Sequence, residues 1–214
     1  MRTLEVGVQA GGLQVPGNLG LPDGAAGIVV FAHGSGSSRH SLRNREVAAR
    51  LHGAGLATLL FDLLTPAEEA DRANVFHIDL LARRLIGATT WLSSRPDTRE
   101  LRIGCFGAST GAAAALSAAA DPQARVAAIV SRGGRPDLAG PALGRVRAPT
   151  LLIVGGHDET VLDLNRAAQT RLRCENRLEI VPGATHLFEE PGALDRVADL
   201  AARWFTAHLA AESG

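Results

Sequence analysis

The sequence predicts an α/β domain: a mainly parallel sheet with helices on both faces. Three observations carry this. Short, mostly apolar runs recur along the chain, among them Ile28–Phe31, Val126–Ser131 and Thr150–Val154. They are apolar throughout rather than alternately, as strands buried on both faces are. Segments with helical spacing separate them, and the connections are short, so residues 1–214 read as one domain.

The first 25 residues alternate weakly (Leu4, Val6, Val8, then Leu13, Val15) and are cut by glycines and Pro16. They read as one or two short strands in a hairpin or meander. Ile28–Phe31 is a buried strand, followed by a Gly/Ser loop and a helix near Ser41–Ala54. Leu56–Phe61 is the next strand, then an acidic loop through Glu68, Glu69 and Asp71. A long helix over about Asn74–Ser93 places Phe76, Leu80, Leu81, Leu85 and Ile86 on one face. Leu101–Phe106 is a strand, Ser109–Ala120 an alanine-rich helix and Val126–Ser131 a strand. A Gly/Pro loop with a helical turn near Leu138–Leu143 leads to the strand Thr150–Val154, the helix Thr160–Arg173 and the strand Leu178–Val181. The closing helix, about Gly192–Ala210, aligns Leu194, Val197, Leu200, Ala201, Trp204 and Leu209.

Lys+Arg and Asp+Glu both number 22, so no charge excess points to nucleic acid or an anionic membrane. The N-terminus has no signal-peptide pattern, and no segment approaches the roughly 20 apolar residues that span a bilayer. Cys105 and Cys174 are the only cysteines, which fits a reducing cytoplasm better than a disulfide framework. No metal or cofactor is expected, and a homo-oligomer is compatible with this reading.

Gly107-Ala108-Ser109-Thr110-Gly111 lies between a strand and a helix. A serine hydroxyl needs a base to take its proton and a geometry that presents it. A tight strand-to-helix turn does the second, provided small residues flank it at two positions either side. Ser109 is therefore the candidate nucleophile. The Thr110 N–H, at the helix start, faces the region where negative charge grows on a substrate oxygen.

Asp158 follows the strand Thr150–Val154, and His186 follows Leu178–Val181. Both stand at carboxyl ends of strands, where sites of open α/β sheets collect. His186 would take the Ser109 proton, and Asp158 would orient the imidazole. Asp163 and Glu159 fall inside the next helix, and Glu189 and Glu190 read as the acidic start of the last one. His52 and His208 lie on helices, and His157 reads as a loop residue.

Phe31-Ala32-His33-Gly34-Ser35-Gly36-Ser37-Ser38 follows a buried strand, and the Ser35 N–H is the expected second oxyanion donor. The same loop permits a different reading, a dinucleotide site on Gly34-x-Gly36 with Asp62 on the ribose. Arg39 at the third glycine position, and the strands that precede the loop, argue against it.

Together these segments resemble the α/β-hydrolase superfamily, and more narrowly its dienelactone hydrolase-like branch. The resemblance runs from Ile28 to Leu209 and rests on F-A-H-G-S-G-S-S, G-A-S-T-G, L-L-I-V-G-G-H-D and A-T-H-L-F-E-E in that order. It implies a mostly parallel sheet of about eight strands, here without a large lid. It also implies esters as substrates, with lactone or thioester hydrolysis or acyl transfer on the same triad as alternatives. Another class of reading is a non-catalytic hydrolase-like binding domain. Dienelactone hydrolases proper carry a cysteine nucleophile where this chain has Ser109, and Cys105 lies inside the strand. Some similar domains occur fused to phosphoribosyltransferases.

Arg39, Arg132 and Arg135 fall in loops near the carboxyl ends of strands. Arg39 or Arg132 could hold a substrate carboxylate, or each arginine could fix its loop by pairing with Asp62 or Asp137. Phe188, Leu64 and Phe76 are candidate apolar walls. The expected activity is hydrolysis of a small soluble ester through an acyl-enzyme.

Overall fold

The computed structural model describes residues 1–210. Eight strands form one sheet: β1 (Arg2–Ala10), β2 (Leu13–Leu21), β3 (Ile28–Ala32), β4 (Ala57–Phe61), β5 (Ile103–Ala108), β6 (Val126–Arg132), β7 (Thr150–Gly155) and β8 (Asn176–Val181). They lie in the order β1-β2-β4-β3-β5-β6-β7-β8. From β4 to β8 every neighbouring pair is parallel. Only β2 runs against its neighbours, β1 and β4.

The N-terminal hairpin is longer than its weak alternation suggests: nine residue pairs, from Arg2↔Leu21 to Ala10↔Leu13. Pro16 does not break it. The β2–β4 pairing covers only Gly17 to Gly20, and the Asp62 N–H donates to the Pro16 carbonyl just past it (3.2 Å), so Pro16 stands at the end of that ladder, where a missing N–H is tolerated. Gly11 and Gly12, both at positive φ, close the turn.

Among the described residues there are seven α-helices, α1 (Leu42–Gly53), α2 (Pro66–Glu69), α3 (Arg72–Val75), α4 (Ile78–Ser94), α5 (Thr110–Ala119), α6 (Glu159–Gln169) and α7 (Ala193–Leu209), and two 3-10 helices, Pro122–Ala124 and Pro136–Arg145. The period of two along each strand decides which layer a residue joins. Val29, Phe31, Val130 and Ile153 pack with Val47 and Leu51 of α1 and Val197 and Phe205 of α7. Their neighbours Ile28, Val30, Ile129 and Leu152 pack with Leu81 and Leu85 of α4 and Ala113 and Leu116 of α5. Each strand is thus apolar throughout because both of its faces are covered. The run Ala112–Ala115 is fully buried, and its small side chains let α5 sit close to β5.

Three expectations are corrected here. The acidic segment after β4 is not an open loop but two single-turn helices. Thr65 and Glu68 form a reciprocal cap at the start of α2, and Asp71 caps α3. The long helix begins at Ile78 rather than Asn74, because His77 at φ −81°, ψ 81° interrupts the helical path. Phe76 is consequently 51% exposed and forms no part of the apolar face. Finally α6 ends at Gln169, four residues before Arg173. The turn that follows is held by its own bonds, with Leu172 N–H on the Ala168 carbonyl and the Arg171 guanidinium on the Gly140 carbonyl. No described helix is long and apolar enough to cross a membrane.

Candidate active site

Ser109 sits between β5 and α5 at φ 50°, ψ −120°, a left-handed conformation that few residues with a Cβ adopt. Backbone bonds pin it there. Its N–H donates to the Arg132 carbonyl at the end of β6 (3.2 Å), and its carbonyl accepts from Arg135 N–H (3.1 Å) and Ala112 N–H (3.1 Å). The flanking glycines are required by contact. A Cβ on Gly107 would lie 2.4 Å from Ala112 Cα, and one on Gly111 would lie 2.1 Å from the Ala32 carbonyl oxygen. The turn is therefore wedged between α5 and the end of β3.

His186 follows β8 and Asp158 follows β7. His186 Nδ1 donates to Asp158 Oδ2 at 2.6 Å, so Nε2 is left as the basic nitrogen. Gly155 permits this meeting, since a Cβ there would press within 2.4 Å of the Ala184 carbonyl oxygen. On its other side the His186 ring lies against Gly133, where an added Cβ would approach Cε1 to 3.4 Å. Gly133 follows Arg132, whose carbonyl holds Ser109, so the serine turn and the histidine loop meet on one short segment. No hydrogen bond joins the Ser109 hydroxyl to the His186 ring among the described residues. Such bonds are commonly loose before substrate enters.

The segment 33–38 lies beside this turn, and a Cβ on Gly34 would come within 3.1 Å of Ser109 Cβ. His33 anchors the segment. Its Nδ1 donates to the Gly34 carbonyl (3.1 Å) and its Nε2 accepts from Leu63 N–H (3.1 Å), which requires the neutral ring. Burial accordingly pushes the His33 pKa down, against the pull of the Gly34 carbonyl, Asp62 and Glu69. The two expected oxyanion donors are brought together with a difference. The Ser35 N–H is engaged, donating to Thr110 Oγ1 at 3.1 Å, while the Thr110 N–H belongs to the first turn of α5, which no intrahelical carbonyl takes. A hollow lined by Gly34, Ser35, Leu63, Leu64 and Thr110 opens here.

The other candidates separate. Arg39 is held by Asp62, which accepts both its N–H (2.8 Å) and its guanidinium, so it shapes the loop rather than facing a substrate. The same pairing occupies Asp62, the residue a dinucleotide ribose would need. Arg135 is locked bidentately on Asp137 (2.9 and 2.8 Å). Phe188 is not an apolar wall: it is 1% exposed and packs in the core with α7, at a positive φ of 56°. Of these three arginines, Arg132 alone pairs with no carboxylate among the described residues. It is 7% exposed, with its Cζ 5.8 Å from the Phe188 ring centre.

Among the rival acids, Glu159 and Asp163 lie in α6, with Asp163 on Arg166. Glu189 and Glu190 do not open the last helix. Glu189 pairs with Arg43, and Glu190 accepts from the Thr185 N–H (3.0 Å) and hydroxyl (2.6 Å), tightening the histidine loop. Cys105 is fully buried and its thiol is pushed up to about 12, so it stays protonated. Sequence reading missed Asn165. Buried in α6, it donates to the Gly134 carbonyl at 3.0 Å and holds the segment on which His186 rests. A polar residue on the inward face of an amphipathic helix was the available signal.

The family profile of dienelactone hydrolases matches residues 15–209. A crystal structure of dienelactone hydrolase from Anabaena variabilis superposes with a TM-score of 0.94 at 57% identity, covering 97% of this chain and 98% of that one. Est1E from Butyrivibrio proteoclasticus shares the fold, with a TM-score of 0.79 at 14% identity over 95% of this chain and 98% of its own. A Mycobacterium tuberculosis protein named "Putative phosphoribosyl transferase" is 65% identical over 209 residues, 98% of this chain and 47% of that protein. The chain thus spans about half the length of that relative.

Proposed function

The chain belongs to the dienelactone hydrolase family, and from that premise we propose that it is a serine hydrolase cleaving a small ester through a Ser109–His186–Asp158 triad. The observation that carries the proposal is the His186 Nδ1–Asp158 Oδ2 bond of 2.6 Å beside a serine held at φ 50°. The bond leaves Nε2 free to act as base, and the strained turn presents the hydroxyl.

In this reading His186 Nε2 takes the Ser109 proton as Oγ adds to the ester carbonyl. Asp158 keeps the imidazole in the useful tautomer and stabilises the imidazolium. The carbonyl oxygen becomes an oxyanion over the start of α5, where the Thr110 N–H meets it. It displaces Thr110 Oγ1 as the acceptor of the Ser35 N–H, completing a two-donor site. His186 then returns its proton to the departing alcohol, and water attacks the acyl-Ser109 by the same route in reverse. Lactones, thioesters and acyl transfer to other alcohols follow the same steps.

Hydrolysis of p-nitrophenyl acetate tests this. The Ser109→Ala variant is expected to lose about three orders of magnitude or more in kcat, the scale on which a triad nucleophile acts. A fluorophosphonate probe should label the parent chain and not the variant. Equal turnover in both would remove Ser109 from the mechanism. The transferase in the name of the half-matched relative is tied to this chain by no residue described above.

A further inference from the structure

The segment 182–192 between β8 and α7 carries His186, and no regular element holds it. Its near end is tied to the loop after β7, where the His157 N–H donates to the Ala184 carbonyl at 2.9 Å. Past His186, the Phe188 N–H donates back to the Thr185 carbonyl (3.3 Å), which folds 185–188 into a turn. Phe188 leaves that turn at φ 56°, and its buried ring keeps it in this left-handed conformation. The reversal returns Glu190 to the first residue of the turn. There a single carboxylate oxygen, Oε1, accepts both the Thr185 N–H (3.0 Å) and the Thr185 hydroxyl (2.6 Å). Among the described residues, Glu190 and Asp158 are the two side chains from outside the turn that hydrogen-bond to residues 184–188. Asp158 holds the imidazole by Nδ1, but a ring can keep one bond and pivot about it. The other end of the lever is the backbone at His186, and Glu190 closes the turn that fixes it. Thr185 is exposed, so water can replace either of its bonds at little loss of stability. Catalytic geometry is less forgiving: a displacement of about 1 Å at a reacting group can lower a rate about 100-fold.

We propose that Glu190 is a positioning residue: its carboxylate clamps Thr185 and thereby sets where His186 Nε2 meets the Ser109 hydroxyl. The link to turnover rests on the hydrolase reading, whereas the hold on the imidazole does not. The Thr185 hydroxyl above all keeps the Glu190 carboxyl below its ordinary range, so the acceptor is ionised wherever an imidazole is neutral. Neighbouring Glu189 supplies the comparison, since it pairs with Arg43 across the surface (3.3 Å) and makes no hydrogen bond to the turn.

Two readouts test the clamp, one with an ester and one without. With p-nitrophenyl acetate, Glu190→Ala should lower kcat/KM about tenfold or more. Glu190→Gln keeps an Oε1 that can accept both bonds and should stay within about threefold of the parent. Thr185→Val retains the N–H, loses the hydroxyl and should fall between the two. Glu189→Gln should match the parent. All four variants should melt within about 2 °C of the parent, because water takes over exposed polar contacts. The second readout is nitrogen-15 NMR of the His186 ring at a pH where it is neutral, which reports the tautomer with no substrate present. The parent should hold its proton on Nδ1, Glu190→Ala should show a mixture of tautomers, and Glu190→Gln should restore the single form. If Glu190→Ala does not fold, Thr185→Val decides by the same readouts. Parent-like kcat/KM and tautomer in Glu190→Ala overturn the proposal, as does a Glu190→Gln variant equally impaired. Activity that falls only in step with melting temperature makes Glu190 an ordinary stabilising contact and overturns it too. A chain that turns over no ester, yet loses its single tautomer in Glu190→Ala, fails the hydrolase reading alone.

Discussion

At the scale of the residue, the sharpest feature is a serine in a conformation that favours glycine. Holding a residue with a Cβ at φ 50°, ψ −120° costs about 1–3 kcal/mol. Ser109→Gly should release that strain, less the roughly 0.5–1 kcal/mol of chain entropy that glycine adds to the unfolded state. Ser109→Ala keeps the Cβ and so keeps the strain. Calorimetry should therefore show Ser109→Gly melting above Ser109→Ala, by about 2–4 °C for each kcal/mol recovered in a chain of this size. Equal melting temperatures would limit the strain to the roughly 0.5–1 kcal/mol of chain entropy that glycine adds. Both variants should be inactive on p-nitrophenyl acetate, so stability and activity part at this atom. The residue types and order of Ser109, Asp158 and His186 were legible in the sequence. That Ser35 N–H spends itself on Thr110 Oγ1, and that Arg39 and not Arg132 finds a carboxylate, was not. Those outcomes depend on which side chains meet across 75 or 23 residues of chain.

At the scale of the element, strand positions were read well because continuous apolar runs have a single explanation in a sheet covered on both sides. Boundaries fared worse. The helix read from Asn74 starts at Ile78, although Phe76, Leu80 and Leu81 fit helical spacing. Spacing reports which residues could share a face and says nothing of the dihedral at His77. Thr65-Pro66-Ala67-Glu68 did carry the signature of a capped helix, hidden within a segment that looked merely acidic. Glycines show the same division between pattern and context. Gly111 and Gly53 are both helical, but a Cβ on Gly111 would meet the Ala32 carbonyl at 2.1 Å, whereas one on Gly53 meets nothing within 4 Å. Gly111→Ala should cost about 3 kcal/mol, because backbone of β3 must move to admit it. Gly53→Ala should gain up to about 1 kcal/mol from helix propensity. Urea midpoints decide this, and a stable Gly111→Ala protein would contradict the wedge between α5 and β3.

At the scale of the whole molecule, His33 ties the Gly34–Ser38 loop after β3 to the segment after β4, and it does so only while neutral. Protonation would turn Nε2 into a donor facing the Leu63 N–H, inside the core. Burial lowers the His33 pKa, and burial also lowers that of His52, whose ring meets Thr58 Oγ1 at 2.7 Å. Above the ordinary histidine value of about 6.5, both rings are neutral in folded and unfolded chains, so neither makes stability depend on pH. As pH falls below it the unfolded chain gains protons that the folded one refuses, and stability drops. His33 alone can contribute up to about 1.4 kcal/mol per pH unit, with a smaller, solvent-screened share from half-buried His52. Glu68 and Asp97 have depressed values, so what they contribute is lost only at lower pH, as it falls through the carboxylate range. The interval from pH 6.5 to 5 thus belongs to the histidines. Urea unfolding should give a flat free energy from pH 8 to 7 and a decline from 6.5 to 5, and His33→Gln should flatten most of that decline. A profile equally steep in His33→Gln would show that the loop tolerates a charged His33. A decline above pH 7 would place the titration elsewhere. If the flattening occurs, the ring that holds the Gly34–Ser38 loop in place is also the group that sets how the whole domain answers mild acid.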